Sequence, residues 1–126
     1  MTLRVLYVDD EPDIREIVAL SLSLDPDLAA ETAASGAKAL ERAAAGGLDL
    51  ILLDVMMPDM DGPTTLARLR ADPATHAIPV AFVTARTQAH EVEHFRTLGA
   101  VGVVAKPFDP MTLAQDVRAL HALAGA

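Results

Sequence analysis

Apolar residues along this chain follow two rhythms that take turns. Short runs with few polar interruptions cover Leu3 to Val8, Leu50 to Leu53, Val80 to Val83 and Val101 to Ala105, and turn residues or charges bound them. Runs of that length fit strands buried on both faces better than helices. Leu28 to Ala33 is a weaker, alanine-rich strand candidate. The sharpest ending belongs to Leu50-Ile-Leu-Leu53, which meets Asp54 and then the loop Val55-Met-Met-Pro-Asp-Met-Asp-Gly62.

Between the runs, apolar positions recur at helical spacing. Pro12 suits the first turn of a helix whose Ile14, Ile17, Val18 and Ser21 share one face down to about Leu24, where Asp25-Pro26-Asp27 breaks it. Ser35 is an N-cap for a helix through about Ala45, closed by Gly46-Gly47. Gly62-Pro63 opens a third helix carrying Leu66 and Leu69 to near Asp72-Pro73, and Pro79 introduces the fourth strand, Val80 to Thr84. Thr87 to Leu98 reads as a helix stopped by Gly99. Asp109-Pro110 reads as a cap followed by a proline at the first helical position, ahead of the stripe Leu113, Val117, Leu120 and Ala124. Five strands thus alternate with five helices through short connections. That predicts the α/β class, with right-handed crossovers and a doubly wound five-stranded parallel sheet covered on both faces.

Composition narrows the picture. With 126 residues, 52% of them hydrophobic, the chain can fill one core and is too short for two ordinary domains. The absence of cysteine excludes disulfides and thiolate metal sites. The first residues lack the charged start, long apolar run and cleavage site of a signal peptide, and no apolar stretch approaches membrane-spanning length, so a cytoplasmic location is expected. Ten basic against eighteen acidic residues give a formal charge of −8 with no basic stripe, which argues against nucleic acid as a partner.

The candidate chemistry stands at the strand ends. Asp9 and Asp10 follow the first strand, Asp54 ends the third, Thr84 the fourth and Lys106 the fifth. In a doubly wound sheet these ends lie along one edge. Any one of these residues alone is an ordinary turn aspartate, strand-end hydroxyl or solvated lysine. Together they form a complementary set. Crowded carboxylates repel unless a divalent cation neutralises them, and an all-oxygen donor set suits magnesium. A carboxylate can also accept a phosphoryl group, and that transfer depends on position and charge neutralisation, which magnesium, a lysine and a hydroxyl supply.

The pieces Val8-Asp9-Asp10-Glu11, Leu53-Asp54 through Asp61-Gly62, Val83-Thr84-Ala85, and Gly99-Ala100 leading to Ala105-Lys106-Pro107-Phe108 make the chain similar to a response-regulator receiver domain of two-component signalling, of the single-domain, chemotaxis-regulator-like kind. The resemblance spans essentially the whole length. It implies a flavodoxin-like fold with strand order 2-1-3-4-5 and one receiver domain over residues 1–126 without an output domain. It also implies that Asp54 is the phosphoacceptor, loaded by a histidine kinase or a histidine phosphotransfer protein. Asp10, Asp54 and the backbone carbonyl of Met56 would bind Mg2+ directly, or Mn2+ in its place, with Asp9 acting mainly through water. Thr84 and Lys106 would contact the phosphoryl oxygens, and Lys106-Pro107 would be a cis peptide. Binding of a downstream protein, or a homodimer through the fourth and fifth helices, would read out the phosphorylated state, with no turnover of an external substrate.

The chain departs from the family at Val103, three residues before the lysine, where receivers often carry Tyr or Phe. A β-branched side chain cannot make the inward swing of an aromatic ring, so signalling is expected to run through Thr84, the loop after it and the following helix. Met56 and Arg86 occupy two variable positions flanking the expected path of a hydrolytic water, and their bulk predicts a long-lived phosphoryl group. A competing motif is His90-Glu91-Val92-Glu93-His94, which fits the H-E-x-x-H pattern of zinc peptidases. Helical geometry sets Ala89, Val92 and Phe95 on the apolar face and turns His90 and His94 toward solvent, with no clear third ligand. A phosphate-independent interaction module and a magnesium phosphohydrolase also compete with the phosphoacceptor role. The phosphohydrolase would need an acid two residues after Asp54, where Met56 stands.

Overall fold

Strand-forming runs and amphipathic stripes resolve, in the computed structural model, into ten elements across the described residues, 2–125. These are β1 (Leu3–Val8), α1 (Pro12–Ser23), β2 (Leu28–Ala33), α2 (Gly36–Ala44), β3 (Leu50–Asp54), α3 (Gly62–Ala71), β4 (Val80–Thr84), α4 (Ala89–Thr97), β5 (Gly102–Ala105) and α5 (Leu113–Ala124). All neighbouring strands are parallel, in the order β2-β1-β3-β4-β5. The order reverses between β1 and β3, so their carboxyl ends open a crevice of the kind in which ligands bind in open α/β sheets.

Period-two alternation divides the core into two layers. Leu6, Val8, Ile51, Leu53, Val80 and Phe82 pack with Leu66, Leu69 and Phe95 beneath α2, α3 and α4. Val5, Tyr7, Leu50, Leu52, Ala81, Val83 and Val104 pack with Val18, Leu22, Leu113, Val117 and Leu120 beneath α1 and α5. All five β3 residues are buried, which explains why Leu50 to Asp54 shows no polar alternation. Asp54 belongs to the same parity as Leu50 and Leu52, and Lys106 to that of Val104. Both therefore emerge toward α1 and α5, whereas Thr84 follows Phe82 on the opposite face.

Four details depart from the sequence reading. Ile17 is 42% exposed instead of facing inward, because it stands about 100° round the helix from Val18 and the buried stripe of Val18, Ser21 and Leu22 leaves it on the flank. The last helix begins at Leu113 instead of Pro110. The Asp109 carboxylate accepts the N–H of Met111 at 2.8 Å and its carbonyl that of Thr112 at 3.1 Å, folding 109–112 into a turn. α4 starts at Ala89, after a Gln88 whose backbone N–H is donated to the Glu91 carboxylate at 3.4 Å, and Ala89 lies exposed. Val101 precedes β5 and pairs outside it, donating its N–H to Val80.

The loop after β3 is closed by one glycine. Gly62 donates its N–H to the Val55 carbonyl at 3.0 Å, and a Cβ on it would sit 2.6 Å from the Asp54 carbonyl oxygen and 2.9 Å from the Val55 Cα. Both neighbours are backbone atoms that cannot rotate away, so only glycine lets the loop fold back this closely over the end of β3.

Candidate functional site

At the carboxyl edge of the sheet the parity of the strands brings three carboxylates together. Single oxygens of Asp9, Asp10 and Asp54 all lie within 4.8 Å of one another. It is the one such group of metal-capable side chains among the described residues. Asp9 and Asp54 are buried and Asp10 is exposed, so the cluster is open to solvent from one side. The Lys106 ammonium reaches into it, 3.2 Å from Asp9 Oδ2 and 3.3 Å from Asp54 Oδ1. The peptide bond that follows, Lys106–Pro107, is cis.

Three carboxylates face one ammonium, and the excess of negative charge registers on Asp54. Burial first, and then the charge of Asp9, pushes its carboxyl from the ordinary 3.8 up to about 6, against the opposing pull of Lys106 and of the Met56 backbone. On Lys106, burial works to lower the ammonium, but the charges of Asp54 and Asp9 and their hydrogen bonds outweigh it and hold the group above its ordinary value. An all-oxygen set with uncompensated negative charge fits a hard divalent cation such as Mg2+ or Mn2+.

The other predicted residues are arranged around this core. Thr84 is buried, and its hydroxyl accepts the Arg86 backbone N–H at 3.0 Å, while its carbonyl accepts the N–H of Lys106 at 2.9 Å. It is thus tied to its own loop and to Lys106 through the backbone, with its side chain on the α2–α4 side of the sheet. Arg86 turns its exposed guanidinium to Glu91, 3.5 Å away, and the Met56 side chain is 79% exposed. Val103 is half-buried and packs against the core layer that holds Phe82 and Phe95.

His90 and His94 lie exposed on α4, as helical geometry predicts, and Phe95 is buried behind them. The Glu91 carboxylate, which a peptidase would need free as a base, instead pairs with Arg86 and accepts the Gln88 N–H. One residue of the motif, Glu91, is thus engaged in an ion pair with the exposed Arg86 of the loop after β4.

Sequence reasoning passed over one residue of the site. Tyr7, fully buried in the layer under α1 and α5, donates its hydroxyl hydrogen to Asp9 Oδ2 at 2.7 Å. Period-two spacing was the available signal, since Tyr7 and Asp9 share one side of the chain. Asp9 is further held by the Glu11 N–H, donated to Oδ1 at 3.0 Å, while Arg15 donates to its carbonyl at 2.7 Å. A groove of about 410 Å3 leads away from Lys106 between α1 and the loop before α5, lined by Ile14, Ile17, Pro107, Phe108 and Pro110.

Known proteins resemble the chain in sequence and fold. The family model described as response regulator receiver domain matches residues 5–118. The DNA-binding dual master transcriptional regulator RpaA of Synechocystis is 37% identical over 93% of this chain and 48% of its own length. The transcriptional activator protein IrlR of Burkholderia pseudomallei is 37% identical over 94% of this chain and 50% of its own. The chain thus spans about half the length of the curated relatives it matches. Among solved structures, the chemotaxis response regulator CheY4 of Vibrio cholerae superposes with a TM-score of 0.86 at 32% identity, over 95% of this chain and 99% of that one. With the fold, the strand order and the family model in agreement, this chain belongs to the receiver domains of two-component response regulators.

Proposed function

We propose that this chain is a phosphorylation-driven binding module in which Asp54 accepts a phosphoryl group from a histidine kinase or a histidine phosphotransfer protein. The observation that carries this reading is the Asp54–Lys106 pair, 3.3 Å apart inside a group of three carboxylates. An Asp54 oxygen attacks the donor phosphorus. The O–P bond forms as the donor's N–P bond breaks, and the electron pair of that bond stays on the imidazole nitrogen. A carboxyl raised to about 6 is still mostly ionised at neutral pH and is more basic than an ordinary aspartate. Lys106 remains charged and meets the negative phosphoryl oxygens. Asp10, Asp54 and the Met56 backbone carbonyl would hold Mg2+, with Asp9 acting mainly through water because its oxygens already accept from Tyr7, Glu11 and Lys106. A cation held there supplies further charge neutralisation for the transferred group.

Phosphorylation then shifts an equilibrium between two conformations. Thr84 releases the Arg86 N–H that its hydroxyl accepts and donates the hydroxyl hydrogen to a phosphoryl oxygen, which draws on residues 85–88 and, through the Arg86–Glu91 pair, on α4. Val103 takes no part as a rotamer switch. The α4–β5–α5 surface changes its affinity for a downstream protein or for a second copy of the chain. Met56 and Arg86 slow hydrolysis by crowding the approach of water, and no external substrate is turned over.

The donor docks on α1. Ile17, Leu20 and Leu24 are 42%, 65% and 64% exposed and line, with Pro110, an apolar patch that shares Ile17 and Pro110 with the groove that runs to Lys106. It suits the apolar face of a donor helix carrying the phosphohistidine. The net charge of −8 disfavours nucleic acid as a partner, and a cytoplasmic location goes with the kinase partner proposed here. No helix of the described residues is long and apolar enough to cross a membrane.

Hydrogen exchange with Mg2+ and beryllofluoride, an acyl-phosphate mimic, tests the switch. Altered protection at Thr84–Gln88, α4 and β5, absent in Asp54→Asn, is expected. An exchange pattern that beryllofluoride leaves untouched would favour the phosphate-independent module.

A further inference from the structure

The acidic site has a support on its buried side that the phosphoacceptor reading does not use. Tyr7 is the one tyrosine of the chain, which has no tryptophan, and its ring is 1% exposed among the side chains packed under α1 and α5. Its hydroxyl needs a partner at that depth and finds Asp9 Oδ2 at 2.7 Å. Burial first, and then the hydrogen bond to Asp9 and the nearby carboxylate charges, pushes the phenol far above its ordinary value, so the group keeps its proton and donates.

Asp9 Oδ2 accepts from two groups, Tyr7 and the Lys106 ammonium at 3.2 Å. Lys106 divides itself between this oxygen and Asp54 Oδ1 at 3.3 Å. A chain of contacts therefore runs from the core through Tyr7, Asp9 and Lys106 to Asp54. Without the phenol, the Asp9 carboxylate keeps the Glu11 N–H on Oδ1, but its Oδ2 is left with Lys106 alone. The ammonium is then drawn toward Asp9 and away from Asp54, and the carboxylate is fixed on one oxygen, through the Glu11 N–H, where it had been fixed on both. Groups that hydrogen-bond a metal-site carboxylate from behind typically govern affinity by about 10- to 100-fold.

We infer that Tyr7 is a positioning residue for the acidic site, fixing the Asp9 carboxylate and the sharing of Lys106 so that the site binds a divalent cation and presents Asp54 for phosphorylation. This role rests on the phosphoacceptor reading and adds to it a residue of the buried layer, two positions before Asp9.

The test uses wild type and Tyr7→Phe, which keeps the ring and removes the hydroxyl. Mg2+ affinity is read by amide NMR titration, and the rate of labelling by acetyl phosphate by intact mass, at low and high Mg2+. The expected result is a folded variant with Mg2+ binding weakened about 10-fold, and a labelling rate lowered at low Mg2+ and largely restored at high Mg2+. A merely packed tyrosine would give no Mg2+-dependent recovery. In wild type, Tyr7 is the sole strong fluorophore, so Mg2+ is expected to change its emission with the same midpoint as the NMR titration, whatever the fate of the variant.

Wild-type affinity and rate in the folded variant, or tyrosine emission indifferent to a saturating Mg2+ concentration, would overturn the role of Tyr7 alone. A wild-type protein that neither binds Mg2+ nor takes up a phosphoryl group would overturn the phosphoacceptor reading and the Tyr7 inference with it.

Discussion

Replacing Asp54 with asparagine is predicted to stabilise the fold, by an amount that grows with pH. Its carboxyl is raised from 3.8 to about 6 by burial and by Asp9. Below the unfolded value the group is protonated in both states and has no effect on stability. As pH rises from there to the folded value, the unfolded chain ionises first, and stability is lost until pH passes about 6. A shift of about two pH units corresponds to roughly 3 kcal/mol above pH 7, and at pH 5 to about half of that. Water at the open, Asp10 side of the cluster screens part of the charge, so about 1–3 kcal/mol is expected at pH 7.5. An asparagine is neutral throughout and removes the penalty, while Lys106 keeps Asp9 as a partner. Urea unfolding without divalent cations, at pH 5.0 and 7.5, measures the difference. Asp54→Asn is expected to be the more stable protein at pH 7.5, with a smaller advantage at pH 5.0. Mg2+ is expected to narrow the gap by binding the folded wild type. An asparagine variant no more stable than wild type at pH 7.5, or with an equal advantage at both values, would refute the claim that Asp54 is held at the expense of stability.

Other substitutions probe the surroundings. Gly62→Ala places a Cβ 2.6 Å from the Asp54 carbonyl oxygen and is expected to destabilise by about 3 kcal/mol in urea titration, and to displace the loop enough to impair labelling of Asp54. Met56→Asn and Arg86→Glu are expected to lose a phosphoryl label faster than wild type, followed by intact mass over time. Leu20→Glu, at a position 65% exposed on α1, is expected to slow transfer from a protein phosphodonor while leaving labelling by acetyl phosphate unchanged. Equal slowing with both donors would remove α1 as the docking face.

The strand ends were legible because the apolar runs of β1, β3, β4 and β5 each stop at a charge or a hydroxyl, and parallel pairing sends all those stops to one edge. The side of the sheet on which each emerges follows from counting by twos: Asp54 with Leu52, Lys106 with Val104, Thr84 with Phe82. Local side-chain chemistry was harder to read. Asp109 resembles a helix cap, but its carboxylate takes the Met111 N–H and turns the chain once more before α5 begins. Ile17 fits the stripe by spacing, yet the buried arc of α1 is narrower than its apolar sequence, and the surplus lies on the surface. Glu91 looked like a motif residue until Arg86, which the motif does not include, claimed its carboxylate. Tyr7 was hidden because a strand tyrosine reads as core, and its hydroxyl gains meaning only from the oxygen two residues on.

Phosphoacceptor chemistry at Asp54 is tested most directly by intact-protein mass after incubation with acetyl phosphate, with and without Mg2+, for wild type and Asp54→Asn. The predicted result is a gain of one phosphoryl group that requires Mg2+ and is absent from the variant. A folded, Mg2+-binding wild type that gains no mass, or an asparagine variant that gains as much, would contradict it.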